Sequence, residues 1–247
     1  MIGALGLDST LHLLAYSPPG WGANLLRGLG NSVIIALGAF GLGLVIGTLG
    51  AYGKLYGGPV TRDLLAVYTT VVRAVPELVL ILILYFAVTD VVNQLLVAWG
   101  QSRIQISGVA AGIIVLGVVQ GAYATEVLRG AILAVPAGQI EAARAMGMPP
   151  VLLARRITLP AMLSFAIPGL ANLWLVATKD TALLAVVGFG ELTQETRQAA
   201  GTTKAFFTFF LAAGMLYLSL SLVSGAIFGR IERWARRGQP GHGGGGR

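Results

Sequence analysis

Four ionisable residues interrupt apolar stretches of this sequence, in two places far apart along the chain. Arg73 and Glu77 lie inside the run 64–88, and Lys179 is followed directly by Asp180. A charged side chain inside a bilayer costs at least about 2.5–3.5 kcal/mol on insertion scales, so each is a functional candidate by default. The two carboxylates can line a pathway and attract a cationic group. The alternative is that each acid only pairs with its neighbouring base.

The geometry expected around these charges follows from spacing. Arg73 and Glu77 are four residues apart, so one continuous helix would place them on one face. The apolar run 181–190 after Asp180 is too short to cross a bilayer, which predicts a re-entrant segment or a half-helix. Asn172 and Trp174, on the preceding span, are candidates to line the same cavity, with helix packing as the alternative.

The composition places most of the chain in lipid. The 247 residues are 55% hydrophobic and only 11% charged, against about 25% in soluble domains, and the mean hydropathy is +0.79. Cysteine is absent, and the two histidines lie near opposite ends of the chain. We therefore expect no metal site. No arrangement of a nucleophile with a base is found, so no catalytic residue is predicted.

The chain also lacks a phosphate-binding loop of its own. Such a loop needs a glycine five residues before a Gly-Lys pair, and a serine or threonine after that pair. In the single Gly-Lys pair, Gly53 and Lys54, Leu55 follows and Thr48 replaces the first glycine. Any energy from ATP must therefore be supplied by a partner protein.

Five apolar runs are long enough to cross about 30 Å of hydrocarbon, which needs about 20 helical residues. The predicted fold is an all-α integral membrane protein with a transmembrane domain at 31–229. We expect residues 1–30 to form a periplasmic or interfacial segment and residues 230–247 a basic, Gly-rich cytoplasmic tail. The predicted spans are 31–52, 64–88, 106–125, 157–178 and 205–229.

Charge asymmetry predicts the orientation of these spans. Eleven Lys and Arg residues fall in the segments 53–63, 126–156 and 230–247, and five fall in the segments on the opposite side. Positively charged loops stay in the cytoplasm, so the N-terminus is expected outside and the C-terminus inside. The same rule explains the net charge of +7 without a nucleic-acid partner.

The longest cytoplasmic connection, 126–156, carries strong local signals for helix boundaries. Pro136 suits the first turn of a helix, and good helix formers follow from Gly138 to Met146. Gly147 stands where a glycine cap ends a helix, and the two prolines at 149–150 prevent its continuation. The sequence predicts a short helix, a sharp turn and a second short helix under the membrane. Alanines keep the first helix thin enough to enter a groove in a partner.

The same loop carries a recognisable motif. Glu141-Ala142-Ala143 is followed after three residues by Gly147, and after nine more by Ile157-Thr158-Leu159-Pro160. This pattern resembles the EAA loop of bacterial ABC importer permeases, here within 130–160. The segment 121–141 looks like the polar amino-acid branch. The segments 53–55 and 68–79 are similar to the Q-type subunits of histidine/lysine/arginine/ornithine and opine transporters.

The resemblance, which runs from about residue 25 to 236, implies a type I importer permease fold and specific partners. Glu141, Ala142, Ala143 and Gly147 would couple this chain to a dimer of ABC ATPases. ATP and Mg²⁺ would be bound by that partner, and no cofactor by this chain. A second permease subunit would complete the pathway; in the resembled subgroup it is a related but distinct chain, with a homodimer as the alternative. A periplasmic binding protein would deliver a polar, basic amino acid or an opine across the bacterial inner membrane.

Within that resemblance, a similar Lys-Asp-Thr segment lies close to the substrate, which gives Asp180 a role in the pathway. Two other classes remain open at the level of the sequence. In a secondary transporter driven by protons or sodium, Glu77 and Asp180 would form a relay. A structural or assembly protein of the membrane would have no ATPase partner.

Overall fold

A computed structural model describes residues 12–103 and 107–235, and these residues form nine α-helices. A 3-10 turn at His12–Leu14, a π turn at Ala154–Thr158 and a 3-10 segment at Thr181–Val187 complete the regular structure. The calls on residues 1–11 and on the Gly-rich tail from 236 onward lie outside the described residues. The helices are α1 Gly22–Tyr56, α2 Pro59–Ala74, α3 Glu77–Ala98, α4 Gly108–Leu133, α5 Ala137–Ala145, α6 Pro150–Leu153, α7 Leu159–Asp180, α8 Leu192–Thr203 and α9 Phe206–Ala235.

Five helical stretches of the described chain are long and apolar enough to cross a membrane. They are α1, α3, α4, α9 and the stretch Pro150–Val187, which contains α7. This agrees with the predicted number of spans and confirms the all-α membrane fold. Each observed helix extends beyond its predicted span at one end or both, and the extensions of α1, α4 and α9 include charged residues such as Lys54, Glu126 and Arg230.

The predicted continuous span 64–88 is wrong, because the chain breaks into α2 and α3 at Val75 and Pro76. Val75 has φ −88° and ψ 139°, and Pro76 has φ −54° and ψ 132°. Proline has no N–H and disfavours helical geometry in the residue before it. Arg73 therefore lies in the last turn of α2, whereas Glu77 begins α3. The expectation that they share one helix face fails for the same reason.

Helices α1 and α4 run parallel and pack closely through glycines. A Cβ added to Gly47 would lie 2.5 Å from the Cβ of Ala124, and one added to Gly43 would lie 2.9 Å from the Cβ of Gln120. In the reverse direction, a Cβ on Gly117 would meet Leu42 at 2.6 Å. Small residues let helix backbones approach in membranes. The glycines thus make α1 and α4 the central pair of the bundle.

The loop between α4 and α7 folds as its local signals predict. Helix α5 ends at Ala145, and Gly147 adopts φ +77°. The N–H of Met148 then donates to the carbonyl of Ala143 at 3.1 Å, which closes the helix end. Ile140 packs against a core that contains Leu128 and Met162, so this short helix is anchored to α4 and α7.

Candidate functional site

A buried polar group forms where three helices meet around Asp180. Asp180 is 8% exposed, and the side-chain amide of Gln120 donates to its Oδ2 at 3.2 Å. Glu77 lies near enough to Asp180 to interact with it electrostatically, and the Tyr123 hydroxyl donates to Glu77 Oε1 at 3.4 Å. We call these four residues the Asp180 cluster. The structure therefore brings together the two acids that the sequence marked separately.

Each member of the Asp180 cluster is placed by a feature of its helix. Asp180 is the last residue of α7, and Glu77 is the first residue of α3, after the break that Pro76 imposes. Gln120 and Tyr123 are three residues apart on α4, so they share a face. Sequence reasoning missed both of them. Their signal was two polar side chains at helical spacing in an otherwise apolar span.

The ion pairs weighed as alternatives for the two acids do not form. Among the described residues, neither Glu77 nor Asp180 forms an ion pair within 4.0 Å, whereas Glu126 pairs with Lys54 and with Arg129. Arg73 and Lys179 are both exposed. Lys179 acts on Asp180 electrostatically from a longer distance. Neither carboxylate therefore has a basic side chain bound to it.

The two other pathway candidates, Asn172 and Trp174, lie apart from this cluster. Asn172 is exposed on α7. Trp174 is buried and packs edge-on against Phe40, with ring centroids 5.6 Å apart. Its ring centroid also lies 6.3 Å from that of Phe228. The aromatic contacts of Trp174 join α7 to α1 and α9, which is the packing role considered as its alternative.

The Asp180 cluster has more acceptors than donors. Gln120 is 1% exposed, and its Oε1 has no hydrogen-bond partner among the described residues. Carboxylates at Glu77 and Asp180 accept and do not donate when ionised. A buried acceptor without a partner is costly. A group of this kind is chemically matched to a cation that carries several N–H donors.

A second polar cluster joins α1, α2 and α4 near the C-terminal end of α1. Lys54 Nζ lies 2.6 Å from Glu126 Oε1 and 2.5 Å from Thr69 Oγ1. Arg129 donates to Glu126 Oε2 at 2.8 Å. We call these four residues the Glu126 cluster. It lies close to Leu128 of α4, against which Ile140 of α5 packs, so it belongs to the α5 end of the bundle.

The loop helix α5 presents one side to the protein and the other to solvent. Ala143 is 4% exposed, whereas Glu141 and Ala142 are exposed. Two apolar side chains stand out just beyond the helix, since Met146 and Val151 are each 81% exposed.

Fold and sequence together describe a multi-pass membrane protein with a helical loop between its apolar spans. The family model for the binding-protein-dependent transport system inner membrane component matches residues 24–237. The chain belongs to this family. It is the permease subunit of an ABC importer, embedded in the inner membrane, and it works with an ATPase and a binding protein.

Relatives with assigned transport systems match nearly the whole chain. The octopine transport system permease protein OccQ of Rhizobium radiobacter is 39% identical over 228 residues, which cover 92% of this chain and 96% of the relative. The nopaline permease NocQ of Agrobacterium fabrum is 42% identical over 232 residues, covering 92% and 98%. The histidine/lysine/arginine/ornithine permease HisQ of Escherichia coli is 37% identical over 214 residues, covering 87% and 94%.

Solved structures agree with this fold. A crystal structure of an amino acid ABC transporter with histidines matches with a TM-score of 0.74 at 26% identity, covering 87% of this chain and 95% of that chain. The MetNI methionine ABC transporter, in inward facing conformations, matches with a TM-score of 0.72 at 24% identity, covering 90% and 100%. The second likeness concerns the fold alone. These findings give no support to an ion-coupled secondary transporter.

Proposed function

We propose that this subunit forms half of a pathway that carries basic amino acids, or opines derived from them, into the cell. The relatives are named for octopine, nopaline and the histidine/lysine/arginine/ornithine group. The Asp180 cluster supports the same substrate class, because Glu77, Asp180 and the free oxygen of Gln120 all accept hydrogen bonds. The positively charged end of such a substrate passes this cluster during translocation.

The observation that carries the coupling mechanism is the exposed face of α5, ended by the left-handed Gly147. Glu141 and Ala142 project from this face, and buried Ala143 lets the helix lie close to the bundle. The helix docks into a groove of the ATPase, where ATP and Mg²⁺ are bound. This chain hydrolyses no ATP and binds no cofactor. Closure of the ATPase dimer pushes α5, and the anchored Ile140 passes the motion to α4 and α7.

The assembly that follows has two permease subunits, because a symmetric ATPase dimer offers two grooves and this chain has one EAA loop. The second subunit is a related but distinct chain. The coupling loop lies on the side with the greater number of Lys and Arg residues, which supports a cytoplasmic C-terminus and a periplasmic N-terminus. The periplasmic binding protein then meets the opposite side of the bundle.

The test uses the complete transporter, with both permeases, the ATPase and the binding protein, in proteoliposomes loaded with ATP. We expect arginine, lysine, histidine or octopine to stimulate ATP hydrolysis and to enter the vesicles, and glutamate to do neither. Glu141→Lys places the wrong charge on the docking face, and Gly147→Val forces a branched residue into φ +77°. Both should abolish uptake and leave membrane insertion intact.

A matched glycine variant makes this test specific. Gly130 and Gly147 both have open space for a Cβ, but only Gly147 has a positive φ. Gly130→Val should therefore transport at close to the wild-type rate. Normal uptake by both Glu141→Lys and Gly147→Val would refute the docking role of α5, and uptake driven by membrane potential without ATP would refute the class of transporter.

A further inference from the structure

A cavity of about 340 Å³ lies between the loop that contains α5 and the end of α1. Its walls include Tyr52 and Tyr56 of α1, Arg144 of α5, and Ala154 and Thr158 of the π turn. Single π turns are rare in proteins and occur frequently at functional sites. The exposed docking residues of α5 do not line this space. We call it the Arg144 cavity, and the function described so far makes no use of it.

Arg144 lies beside the face of α5 that packs on the bundle. It follows Ile140 by four residues, so the two are neighbours on the helix surface. Ile140 packs against the core that contains Leu128 and Met162. The guanidinium is therefore available to a group that enters between α5 and α1.

The charge of Arg144 is not balanced by a carboxylate. Among the described residues Arg144 forms no ion pair within 4.0 Å, and no Asp or Glu of that part of the chain lines the cavity. Arg155 and Arg156, between two lining residues of the π turn, are both exposed. A guanidinium presents N–H donors in a planar fork that matches phosphate oxygens. The Arg144 cavity is thus suited to a phosphate group with a net negative charge.

Two tyrosines indicate that the cavity lies at the level of lipid headgroups. Tyr52 and Tyr56 are exposed at the end of the apolar helix α1, and their ring centroids are 5.7 Å apart. Tyrosine is enriched where membrane helices leave the hydrocarbon, because its ring is apolar and its hydroxyl is polar. A phosphate that enters the cavity from the bilayer is therefore that of a lipid.

An exposed apolar stripe on α1 continues from the cavity toward the middle of the bilayer. Val45, Leu49, Tyr52 and Tyr56 fall on one face of the helix by their spacing, and all are exposed. A groove that includes Leu44 and Leu49 lies on this stripe. The cavity is at the small end of ligand sites, which span about 300–1,000 Å³. It can therefore hold a headgroup, with the acyl chains outside it along the stripe.

We propose that the Arg144 cavity binds the headgroup of an anionic phospholipid, with the phosphate held by Arg144 and the acyl chains along the stripe of α1. Basic pockets beside membrane helices on the cytoplasmic side take such headgroups. Because Arg144 belongs to α5, the bound lipid ties this helix to α1 and supports it for docking. That consequence rests on the proposed docking role of α5, whereas the binding of lipid does not.

The test is native mass spectrometry of the complete transporter, titrated with phosphatidylglycerol or with phosphatidylcholine, whose choline cancels the phosphate charge. The wild type should bind phosphatidylglycerol in preference. Arg144→Gln should bind it about tenfold more weakly, because charge-assisted hydrogen bonds to the phosphate are lost. Arg62→Gln is the matched control, since Arg62 is exposed on α2 and does not line the cavity. It should bind phosphatidylglycerol as the wild type does.

Equal binding of phosphatidylglycerol by the wild type and Arg144→Gln would overturn the proposal. So would a wild type that retains no phosphatidylglycerol, which is the result expected if the second permease subunit covers the stripe. Inorganic phosphate should not displace the lipid, and displacement would show that the site takes a soluble anion instead. If Arg144→Gln does not assemble, Tyr56→Ala decides the matter, because Tyr56 is exposed and forms one wall of the cavity. Unchanged lipid binding by Tyr56→Ala would then refute the site.

A second measurement tests the consequence for coupling. Arginine uptake is compared in vesicles of phosphatidylcholine and in vesicles of an equal mixture with phosphatidylglycerol. The wild type should be about fivefold faster in the mixture, at the low end of coupling between two sites, and Arg144→Gln should be equally fast in both. If phosphatidylglycerol binds through Arg144 but the wild type shows no difference in uptake, the lipid site stands and its effect on coupling is refuted. If Glu141→Lys transports normally, the docking role of α5 fails, and the binding measured by mass spectrometry is unaffected.

Discussion

Two glutamates tie together the opposite ends of α1, and they do so with different partners. Glu126 accepts from Lys54 at one end of the bundle and from Arg129 on its own helix. Glu191, at the other end, accepts from Ser32, Tyr217 and a backbone N–H, all of them neutral. The Glu126 cluster connects α1 to α2 and α4. Glu191, Ser32, Tyr217 and the Gln194 N–H, here the Glu191 cluster, connect α1 to α9 and to the turn before α8. The difference lies in the choice of charged or neutral donors.

Access to water explains this choice. The side chains of Lys54 and Glu126 are 12% and 19% exposed, and that of Arg129 is 37% exposed. Charges that keep some hydration can pair at moderate cost, whereas a fully dry ion pair loses more in desolvation than it gains. At Glu191, with 0% exposure, oriented hydroxyl and N–H groups stabilise the carboxylate without a second buried charge. The stability of the Glu126 cluster therefore depends on attraction between opposite charges. The stability around Glu191 depends on the positions of its neutral hydrogen-bond donors.

The largest expected effect comes from removing each carboxylate. Glu191→Leu removes the acceptor of the Ser32 and Tyr217 hydroxyls and of the Gln194 N–H, at about 1–3 kcal/mol for each group left unsatisfied. Glu126→Leu leaves Lys54 and Arg129 able to reach water. We expect destabilisation of about 4 kcal/mol for Glu191→Leu and about 2 kcal/mol for Glu126→Leu. Thermal unfolding of the purified complex measures both.

The control for this comparison is Asp63→Leu, since Asp63 is exposed on α2. Surface substitutions of this kind stay within about 0.5 kcal/mol. Equal losses at Glu191 and Glu126 would contradict the distinction between a dry site and a partly hydrated one.

A charge exchange sharpens the same comparison. Lys54→Glu places a second carboxylate beside Glu126, and like charges in a largely buried site are expected to cost about 2 kcal/mol. The double variant Lys54→Glu with Glu126→Lys restores opposite charges across α1 and α4. It should recover more than half of the lost stability and uptake.

The readout for the exchange is again thermal unfolding, together with arginine uptake by the reconstituted complex. Lys54→Met is the matched single variant, because it removes the charge and keeps the length of the side chain. If the exchanged pair is no better than Lys54→Glu alone, the Glu126 cluster depends on geometry as the Glu191 cluster does.

The parts of the molecule that could be predicted are those with local signals. The coupling loop follows from Pro136, Gly147 and the two prolines after it, and the structure has the helix and the turn where those residues place them. Asp180 and Glu77 were marked because charges in apolar runs are conspicuous. The break at Pro76 was not predicted, because the apolar run 64–88 was interpreted as one helix, whereas proline and the residue before it end α2.

The parts that could not be predicted depend on contacts between distant segments. Gln120 meets Asp180 across 60 residues of sequence, and Ser32 meets Glu191 across 159. Glu191 looked like an ordinary polar residue of a loop, because nothing near it in sequence indicates burial. Neutral donors such as Tyr217 carry no charge pattern that sequence reasoning can follow, whereas Lys54 and Glu126 at least carry opposite charges.

The smallest expected effect is a pH dependence confined to the dry cluster. Burial raises the pKa of the Glu191 carboxyl above its ordinary value of 4.5, so the folded protein keeps this proton to a higher pH than the unfolded chain does. The contribution of this carboxyl to folding stability is fully present below its ordinary pKa and is lost as the pH rises through the raised pKa. The melting temperature should therefore decline over that pH range. We expect Glu191→Gln, which does not titrate, to show no such decline in melting temperature. Asp63→Asn should show the same decline as the wild type. An identical pH profile for wild type and Glu191→Gln would mean that the carboxyl keeps its proton equilibrium on folding, and would remove the electrostatic distinction between the two ends of α1.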